Sequence, residues 1–401
     1  MTEHDAMTPE QTVYMDHAAT TPVLPEVVEA MRPFFTERYG NPSSIYALAQ
    51  QARQALDEAR ERCARVLGAR AGEIVFTSGG TESDNAGIMG PALALKERGR
   101  HVVTTSIEHH AVLHAVELLE SLGWEATYVS PGRDGIVRPE DVADAVRPET
   151  AVVSVMLANN EIGTLQPVAE IARLVKERAT AERRFIAVHT DAVQAAGAAP
   201  VKVDDLGVDL LSLSAHKFGG PKGVGLLYIR RGTPFAPTQV GGAQERERRA
   251  GTENTAGIVG MSVALERAER ERESNAATCA GLRDRLLSGI LERIDRVEVN
   301  GDMDARLPGN VNVSFHGVEA EPLLMGLDLA GVAASSGSAC TAGSLEPSHV
   351  LLALGRSNEL ARSCLRLTLG PENTKDEVDY VVETMAGLVP KLRALSKAGS
   401  R

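Results

Sequence analysis

The stretch Asp209-Leu-Leu-Ser-Leu-Ser-Ala-His-Lys217-Phe-Gly-Gly-Pro-Lys-Gly-Val-Gly225 sets a lysine directly after an apolar strand and before a glycine loop. A lysine placed there loses hydration, which lowers its pKa and frees the amine as a nucleophile. Most lone lysines are solvated loop residues, so its neighbours decide the reading. Upstream, Phe185-Ile-Ala-Val-His-Thr-Asp191-Ala-Val-Gln194 is an apolar strand that ends in an acid and then an amide. An acid at the carboxyl end of a parallel strand faces the crevice where such sheets bind ligands. One use for it is to keep a pyridine nitrogen protonated; a helix cap or a metal ligand is the plainer alternative. The turn Ser78-Gly-Gly-Thr81-Glu-Ser83 opens a helix, where glycines let backbone N–H groups approach an anion and Thr81 adds a hydroxyl. It lacks the Gly-Lys-Ser/Thr ending of a nucleotide-binding loop, so a monophosphate suits it better than ATP or a dinucleotide.

Four cysteines, at 63, 279, 340 and 364, form no Cys-x-x-Cys pair. Cys340 lies in Ala333-Ala-Ser-Ser-Gly-Ser-Ala-Cys-Thr-Ala-Gly-Ser344, a run of small residues that predicts an accessible loop thiol. Cys63 and Cys279 fall in helical patterns and are expected to be packing residues. Cys364 is also expected to be structural. His110 and His114 stand four apart on a helical pattern, as zinc ligands can, but no third ligand in the sequence points to a metal, and none is expected.

Around these residues lies an ordinary globular composition, 43% apolar and 24% charged over 401 residues. Aromatics are 3% and the net charge is −12, which argues against direct nucleic-acid binding. Scattered thiols fit a reducing compartment, the polar N-terminus MTEHDAMTPEQT lacks signal-peptide features, and no apolar run reaches the roughly 20 residues a membrane span needs. The expectation is a cytoplasmic protein without membrane contact. Helical and strand patterns alternate over the first 260 residues, which predicts a mainly parallel sheet covered by helices. Helices are predicted over Ala47–Leu67, Ala86–Arg98, Ala111–Leu122 and Val168–Ala179. Strands are predicted over 73–77, 101–105, 151–157, 185–189, 210–214 and 224–229. A long helix from Val259 to Ile294, bent near Ser274-Asn275, leads into a smaller α+β unit with strands near 310–315 and 365–369.

A phosphate turn, a strand-end acid and a lysine after a later strand, in that order, resemble the fold-type I pyridoxal-phosphate enzymes. The fuller set of motifs is Tyr14-Met-Asp-His-Ala-Ala-Thr-Thr-Pro22, Gly40-Asn-Pro-Ser-Ser44, Thr77-Ser-Gly-Gly-Thr-Glu-Ser83, Glu108-His109, Asn159-Asn-Glu-Ile-Gly163, His189-Thr-Asp191, Ser214-Ala-His-Lys217, Arg249-Ala-Gly-Thr252, Ser335-Ser-Gly-Ser-Ala-Cys340 and Ser348-His-Val-Leu351. Together they resemble the cysteine desulfurases (NifS/IscS type) of the class V aminotransferase superfamily over residues 13 to 395. The resemblance implies an α/β fold-type I transferase. Its large, mainly parallel-sheet domain would span 24–275, and a smaller α+β domain of 1–23 and 276–401 would carry the cysteine loop. It implies pyridoxal 5'-phosphate as cofactor, in Schiff-base linkage to Lys217. Asp191 would hold the ring nitrogen, His109 would lie over the ring, and Asn160 and Gln194 would sit near its substituents. Gly80, Thr81, Ser214 and His216 would hold the phosphate, joined by Thr252 from the second subunit of a homodimer. Gly80 stands where many relatives have Ala. Arg366, assisted by Asn41, would bind the carboxylate of L-cysteine, for which a guanidinium fork is suited. The implied reaction yields L-alanine and a persulfide on Cys340, with Lys217 shuttling the proton and His109 the candidate acceptor of the thiol proton. The sulfur would pass to an acceptor or iron–sulfur scaffold protein. Within the superfamily the runner-up is a selenocysteine lyase or a transaminase; outside it, a sulfur carrier that keeps the fold without turnover.

Overall fold

In the computed structural model the described residues are 12–337 and 347–399. Cys340 lies outside them. Seven strands form the larger sheet: β1 (Ile74–Thr77), β2 (His101–Thr105), β3 (Glu125–Val129), β4 (Thr150–Ser154), β5 (Ala187–Asp191), β6 (Leu210–Ser214) and β7 (Gly225–Ile229), in the spatial order β1-β7-β6-β5-β4-β2-β3. β7 is antiparallel to both its neighbours, and all other pairings are parallel. Six strands therefore run one way, and their carboxyl ends share one edge of the sheet.

Every residue of β1, β2 and β4 to β7 is buried, which is why they read as unbroken apolar runs. Successive residues serve opposite faces: Val103, Val153 and Val188 belong to one core cluster, and Val102, Val152 and Ala187 to the other. The first face is covered by α1 (Ala47–Leu67), α4 (Val168–Ala181) and the start of α5 (Thr255–Arg293), the second by α2 (Gly80–Leu95) and α3 (His110–Ser121). In α1 the buried stripe Ala49, Ala52, Leu56, Ala59 and Cys63 has helical spacing, and Gly68 closes the helix at φ +69°.

Three antiparallel strands, β8 (Val297–Val299), β9 (Asn310–Phe315) and β10 (Cys364–Thr368), make a second sheet with β9 central. Its core joins Val311, Val313, Leu365 and Leu367 to α6 (Ala320–Leu329) and α8 (Lys375–Gly399) through Leu323, Leu327, Val381 and Met385. Met15 belongs to this second core, and Val13–Tyr14 pairs in parallel with Val332–Ala333. The 39-residue α5 spans both cores, giving Ile258, Met261 and Leu265 to the first and Leu282, Leu286 and Ile290 to the second. A short helix α7 (His349–Ala353) follows the segment that carries Cys340. No helix among the described residues is long and apolar enough to cross a membrane.

Several expectations shift: α2 starts at Gly80, six residues before the predicted Ala86–Arg98 helix, and ends at Leu95, and β4 ends at Ser154 rather than 157. β5 begins and ends two residues later than the apolar pattern suggests, so Asp191 is its last residue. The long helix starts at Thr255 and is continuous through Ser274 and Asn275. β3 has no counterpart in the sequence reading, because an edge strand with exposed Glu125 and half-buried Thr127 shows no apolar run.

Candidate active site

At the carboxyl ends of the strands, Gly80 opens α2 after β1, His109, Asn160 and Lys217 lie in the connections after β2, β4 and β6, and Asp191 is the last residue of β5. The chain order of the motifs thus becomes one ring of side chains around a crevice.

Lys217 ends a single 3-10 turn, Ala215–Lys217, at the foot of β6. The turn is held from outside by residues 16 to 21: the Thr21 N–H and hydroxyl both donate to the His216 carbonyl, at 2.9 and 3.0 Å, and the Thr21 hydroxyl accepts from the Gly219 N–H at 2.8 Å. The Lys217 amine donates to the carbonyls of Ala18 (2.5 Å) and Ala19 (2.9 Å), and Gln194 Nε2 donates to the same Ala18 carbonyl at 2.9 Å. A cavity of about 600 Å³ opens beside Lys217 and Gln194, between the two cores.

Asp191 is buried; its Oδ1 accepts from the Val193 N–H at 2.9 Å. Burial raises its pKa, while that hydrogen bond and the Lys217 charge act the other way. Two further carboxyls lie deeper. Glu108 is pushed up to about 8 by burial, and Asp84 is raised well above the carboxylate range, by burial first and by Asp191 second. One oxygen of each, Glu108 Oε2 and Asp84 Oδ1, has no hydrogen-bond partner. His189, buried beneath Asp191, is bonded by Ser154 and Ser212 and driven down to about 3 by burial. Glu108 and His189 are neutral at pH 7 and burial disfavours a charge on Asp84, which leaves Asp191 as the group best placed to offer a charge to a cationic ring nitrogen.

His109 caps α3: its Nδ1 accepts from the Ala111 N–H at 3.1 Å. Burial, and then Lys217, lower its pKa to about 4. A neutral ring whose Nδ1 is an acceptor carries its proton on Nε2, so that nitrogen is a donor. Taking a thiol proton would require the ring to give up its cap or change tautomer.

The N-terminus of α2 has no side-chain cap, so its first N–H groups are available to an anion. Thr81 is exposed there, and a Cβ on Gly80 would come within 3.3 Å of Ser214 Cβ, so Ser214 borders this turn directly. His216 Nδ1 lies 3.1 Å from the Thr20 hydroxyl, and burial followed by the Lys217 charge lowers its pKa to about 4. An uncapped helix start with a serine and a neutral imidazole suits a phosphate monoester; Asp191 suits a pyridinium nitrogen; Lys217 supplies an amine for an aldehyde. The residues present fit pyridoxal phosphate.

Arg366, 1% exposed in β10, donates to Asp16 Oδ1 (2.8 Å) and to the Asn160 carbonyl (3.0 Å). This binds the smaller sheet to the ring of loops. Two of the expected residues stand off from it. Asn41 is exposed, and its Oδ1 accepts from the Ser43 N–H at 3.0 Å. Thr252 is exposed and makes no hydrogen bond among the described residues. Cys63, Cys279 and Cys364 are buried, and burial pushes their thiols up to about 12, 11 and 12; none is a ready nucleophile.

Asp16, Asp84, Glu108 and Glu161 were given no role in the sequence reading, although Asp16, Glu108 and Glu161 fall within the recurring motifs quoted above. His349, distant in sequence, brings its ring within 4.8 Å of His110, whose ring is 5.2 Å from His114. No group of three or more His, Cys, Asp or Glu among the described residues is arranged to hold a metal ion.

Aminotransferase class-V is the family that matches, over residues 13–381. A cysteine desulfurase IscS from Dictyoglomus turgidum is 50% identical over 384 residues, 96% of each chain. The solved structure of a NifS-like protein superposes with a TM-score of 0.89 at 38% identity, covering 95% of this chain and 100% of that one. The structure of SspA in complex with cysteine gives a TM-score of 0.79 at 37% identity, covering 90% and 100%. Matches of this extent and identity make the chain a member of the class-V aminotransferase family and, within it, of the cysteine desulfurases.

Proposed function

We propose that this chain is a pyridoxal-phosphate-dependent cysteine desulfurase that converts L-cysteine to L-alanine and retains the sulfur as a persulfide on Cys340. The observation that carries the reading is the convergence of Lys217, Asp191, His109 and the uncapped start of α2 at one sheet edge, with Arg366 reaching it from the other core.

The cofactor, when bound, supplies an aldehyde for amines and a ring that takes up electron density from the substrate α-carbon. Backbone N–H groups at Gly80 and Thr81, with Ser214 and His216, hold its phosphate. Asp191 keeps the proton on its ring nitrogen. The Lys217 amine, which the Ala18 and Ala19 carbonyls hold in the protein alone, would engage the cofactor's aldehyde until substrate arrives, and afterwards would move the α-proton. Arg366 trades part of its bonding for the substrate carboxylate, and His109, whose ring feels the Lys217 charge, offers its Nε2–H. The Cys340 sulfur, as thiolate, bonds to the substrate sulfur as the Cβ–Sγ bond breaks. The electron pair of that bond stays with carbon and is protonated, so the carbon skeleton leaves as alanine.

The same reading makes the chain a homodimer. Ile45 (93% exposed), Tyr39 (65%) and Phe35 (63%) are exposed apolar side chains on the segment that carries Asn41, and Thr252 is exposed as a residue serving a partner's phosphate would be. It also divides the chain near residues 24 and 275, which the two separate cores support, and assigns it to the cytoplasm with a protein as sulfur acceptor. Loading the protein with pyridoxal phosphate and adding L-cysteine tests the reading. Alanine should be released, and borohydride reduction before substrate should fix the cofactor on Lys217. Transamination without sulfur release, unchanged in Cys340→Ala, would indicate a transaminase instead.

A further inference from the structure

The two described ends of the Cys340 segment meet at one buried carboxyl. On the C-terminal side, the Ser348 hydroxyl donates to Glu161 Oε2 at 2.5 Å and accepts from the Leu351 N–H at 3.2 Å, so one oxygen both caps α7 and joins it to Glu161. On the N-terminal side, Gly337 lies so close that a Cβ there would stand 2.6 Å from the same Glu161 Oε2, 3.3 Å from Ser348 Cβ and 3.6 Å from Cys364 Sγ. A side chain there would force the Glu161 carboxyl to shift, and the Gly337 backbone also hydrogen-bonds the Cys364 sulfur.

Glu161 is itself held rigidly. It is 1% exposed; its N–H donates to Asn159 Oδ1 at 2.9 Å, and its carbonyl accepts from the side-chain amides of Asn310 and Asn312, each at 3.1 Å. The preceding carbonyl, of Asn160, is the one that accepts from Arg366. The anchor of the thiol segment and the seat of the substrate-binding guanidinium are therefore consecutive residues.

Chain geometry gives this a consequence. Cys340 follows Gly337 by three residues, so its Cα can lie at most about 10–11 Å from that of Gly337. Where Gly337 is fixed, the range of the thiol is fixed with it.

We propose that Glu161 is a positioning residue for sulfur transfer: by holding Gly337 and Ser348 together against one carboxyl, it sets where the Cys340 thiol can meet substrate bound at Arg366. This rests on the assignment of Cys340 as sulfur acceptor. The effect of Glu161 would pass through the two ends it holds rather than through contact with substrate or cofactor. A misplacement of about 1 Å by a residue remote from the chemistry costs on the order of a hundredfold in rate.

The experiment uses the cofactor-loaded enzyme and separates binding from transfer. Cysteine binding is read from the change in the cofactor's absorption, and transfer from the single-turnover rate of persulfide formation on Cys340. Glu161→Ala should slow persulfide formation about 10- to 100-fold with half-saturation by cysteine changed less than about twofold. Ser348→Ala should show the same split more weakly. Glu161→Gln, which keeps an oxygen for the Ser348 hydroxyl, should recover most of the rate. Equal transfer rates in wild type and Glu161→Ala would overturn the inference, as would loss of binding and transfer in proportion or a Glu161→Gln variant as slow as the alanine one. Amide exchange across 347–353 gives a readout independent of Cys340 chemistry: faster exchange in Glu161→Ala supports the anchoring, and unchanged exchange contradicts it. Were wild type to form no persulfide, the assignment of function would fall, while the exchange result would still decide the anchoring.

Discussion

Two buried arginines, each on a carboxylate, behave very differently in this molecule. Arg60 meets Glu245 with two parallel bonds, Nη1 to Oε2 and Nη2 to Oε1, both 2.7 Å. Nη1 also donates to the Ile74 carbonyl, the Phe76 N–H donates to Glu245 Oε2, and the guanidinium lies 4.8 Å over the Phe76 ring. Arg366 meets Asp16 through one nitrogen only, and Asp16 keeps 16% of its side chain exposed, whereas Glu245 is buried; the Nε of both arginines has no hydrogen-bond partner. The first pair is closed. The second is held at one point on a partly exposed carboxylate, which suits the carboxylate-binding role proposed for Arg366.

The closed pair also explains a strained turn. Glu245, Arg246 and Glu247 have φ of +46°, +58° and +64°, a left-handed run that costs roughly 1–2 kcal/mol per residue for side-chain-bearing residues. A bidentate buried ion pair is strong enough to hold the turn, and Arg249 then reaches Glu82 in the first turn of α2 at 2.8 Å. The pair at β1 thus fixes the approach to the start of α2.

This contrast predicts opposite phenotypes. The largest effect should come from Arg366→Ala. Losing a buried, hydrogen-bonded charge partner is worth about 2–5 kcal/mol, so kcat/KM for L-cysteine should fall by about a hundred- to a thousandfold while the protein still unfolds cooperatively; steady-state kinetics and thermal melts check both. Arg60→Ala should do the reverse, costing about 3–5 kcal/mol of stability by stranding Glu245 with the kinetics of the folded fraction little changed. The double replacement Arg60→Met with Glu245→Leu should recover most of that loss in denaturant titrations. A smaller effect is expected for Asp16→Asn: stability drops by about 1–3 kcal/mol, but KM for cysteine does not rise, because Arg366 is released toward the substrate carboxylate.

An acid effect confined to low pH belongs to neither pair. His101, bonded through both ring nitrogens to Thr150 and Thr127, is lowered to about 4 by burial. As pH falls from about 6.5 toward 4, the unfolded chain takes up a proton that the folded one refuses, so stability falls through that window. His101→Gln should flatten the pH dependence of the melting temperature there and leave it unchanged above pH 7.

What the sequence made readable was local. β6 and its lysine, the helix start at Gly80 and the acid closing β5 each carry their signal in a few consecutive residues, because burial on both faces demands unbroken apolar runs and a glycine turn leaves a mark of its own. Pairings between distant residues leave no such mark. Asp16 and Arg366 are 350 positions apart, and Arg60 and Glu245 are 185 apart. Nothing in either neighbourhood says which arginine will be closed and which open. The same distance hid His349 beside His110, and the polar alternation of β3 hid a strand that only its neighbour β2 defines.

The central claim is that Lys217 and Cys340 divide one reaction between them, and mass spectrometry of the intact protein after one turnover tests it most directly. With pyridoxal phosphate and one equivalent of L-cysteine, wild type should release one alanine and gain the mass of one sulfur atom, mapped to Cys340. Cys340→Ala should gain none, and Lys217→Ala should release no alanine. Sulfur found on Cys63, Cys279 or Cys364, or wild-type turnover that leaves Cys340 unmodified throughout, would contradict the account.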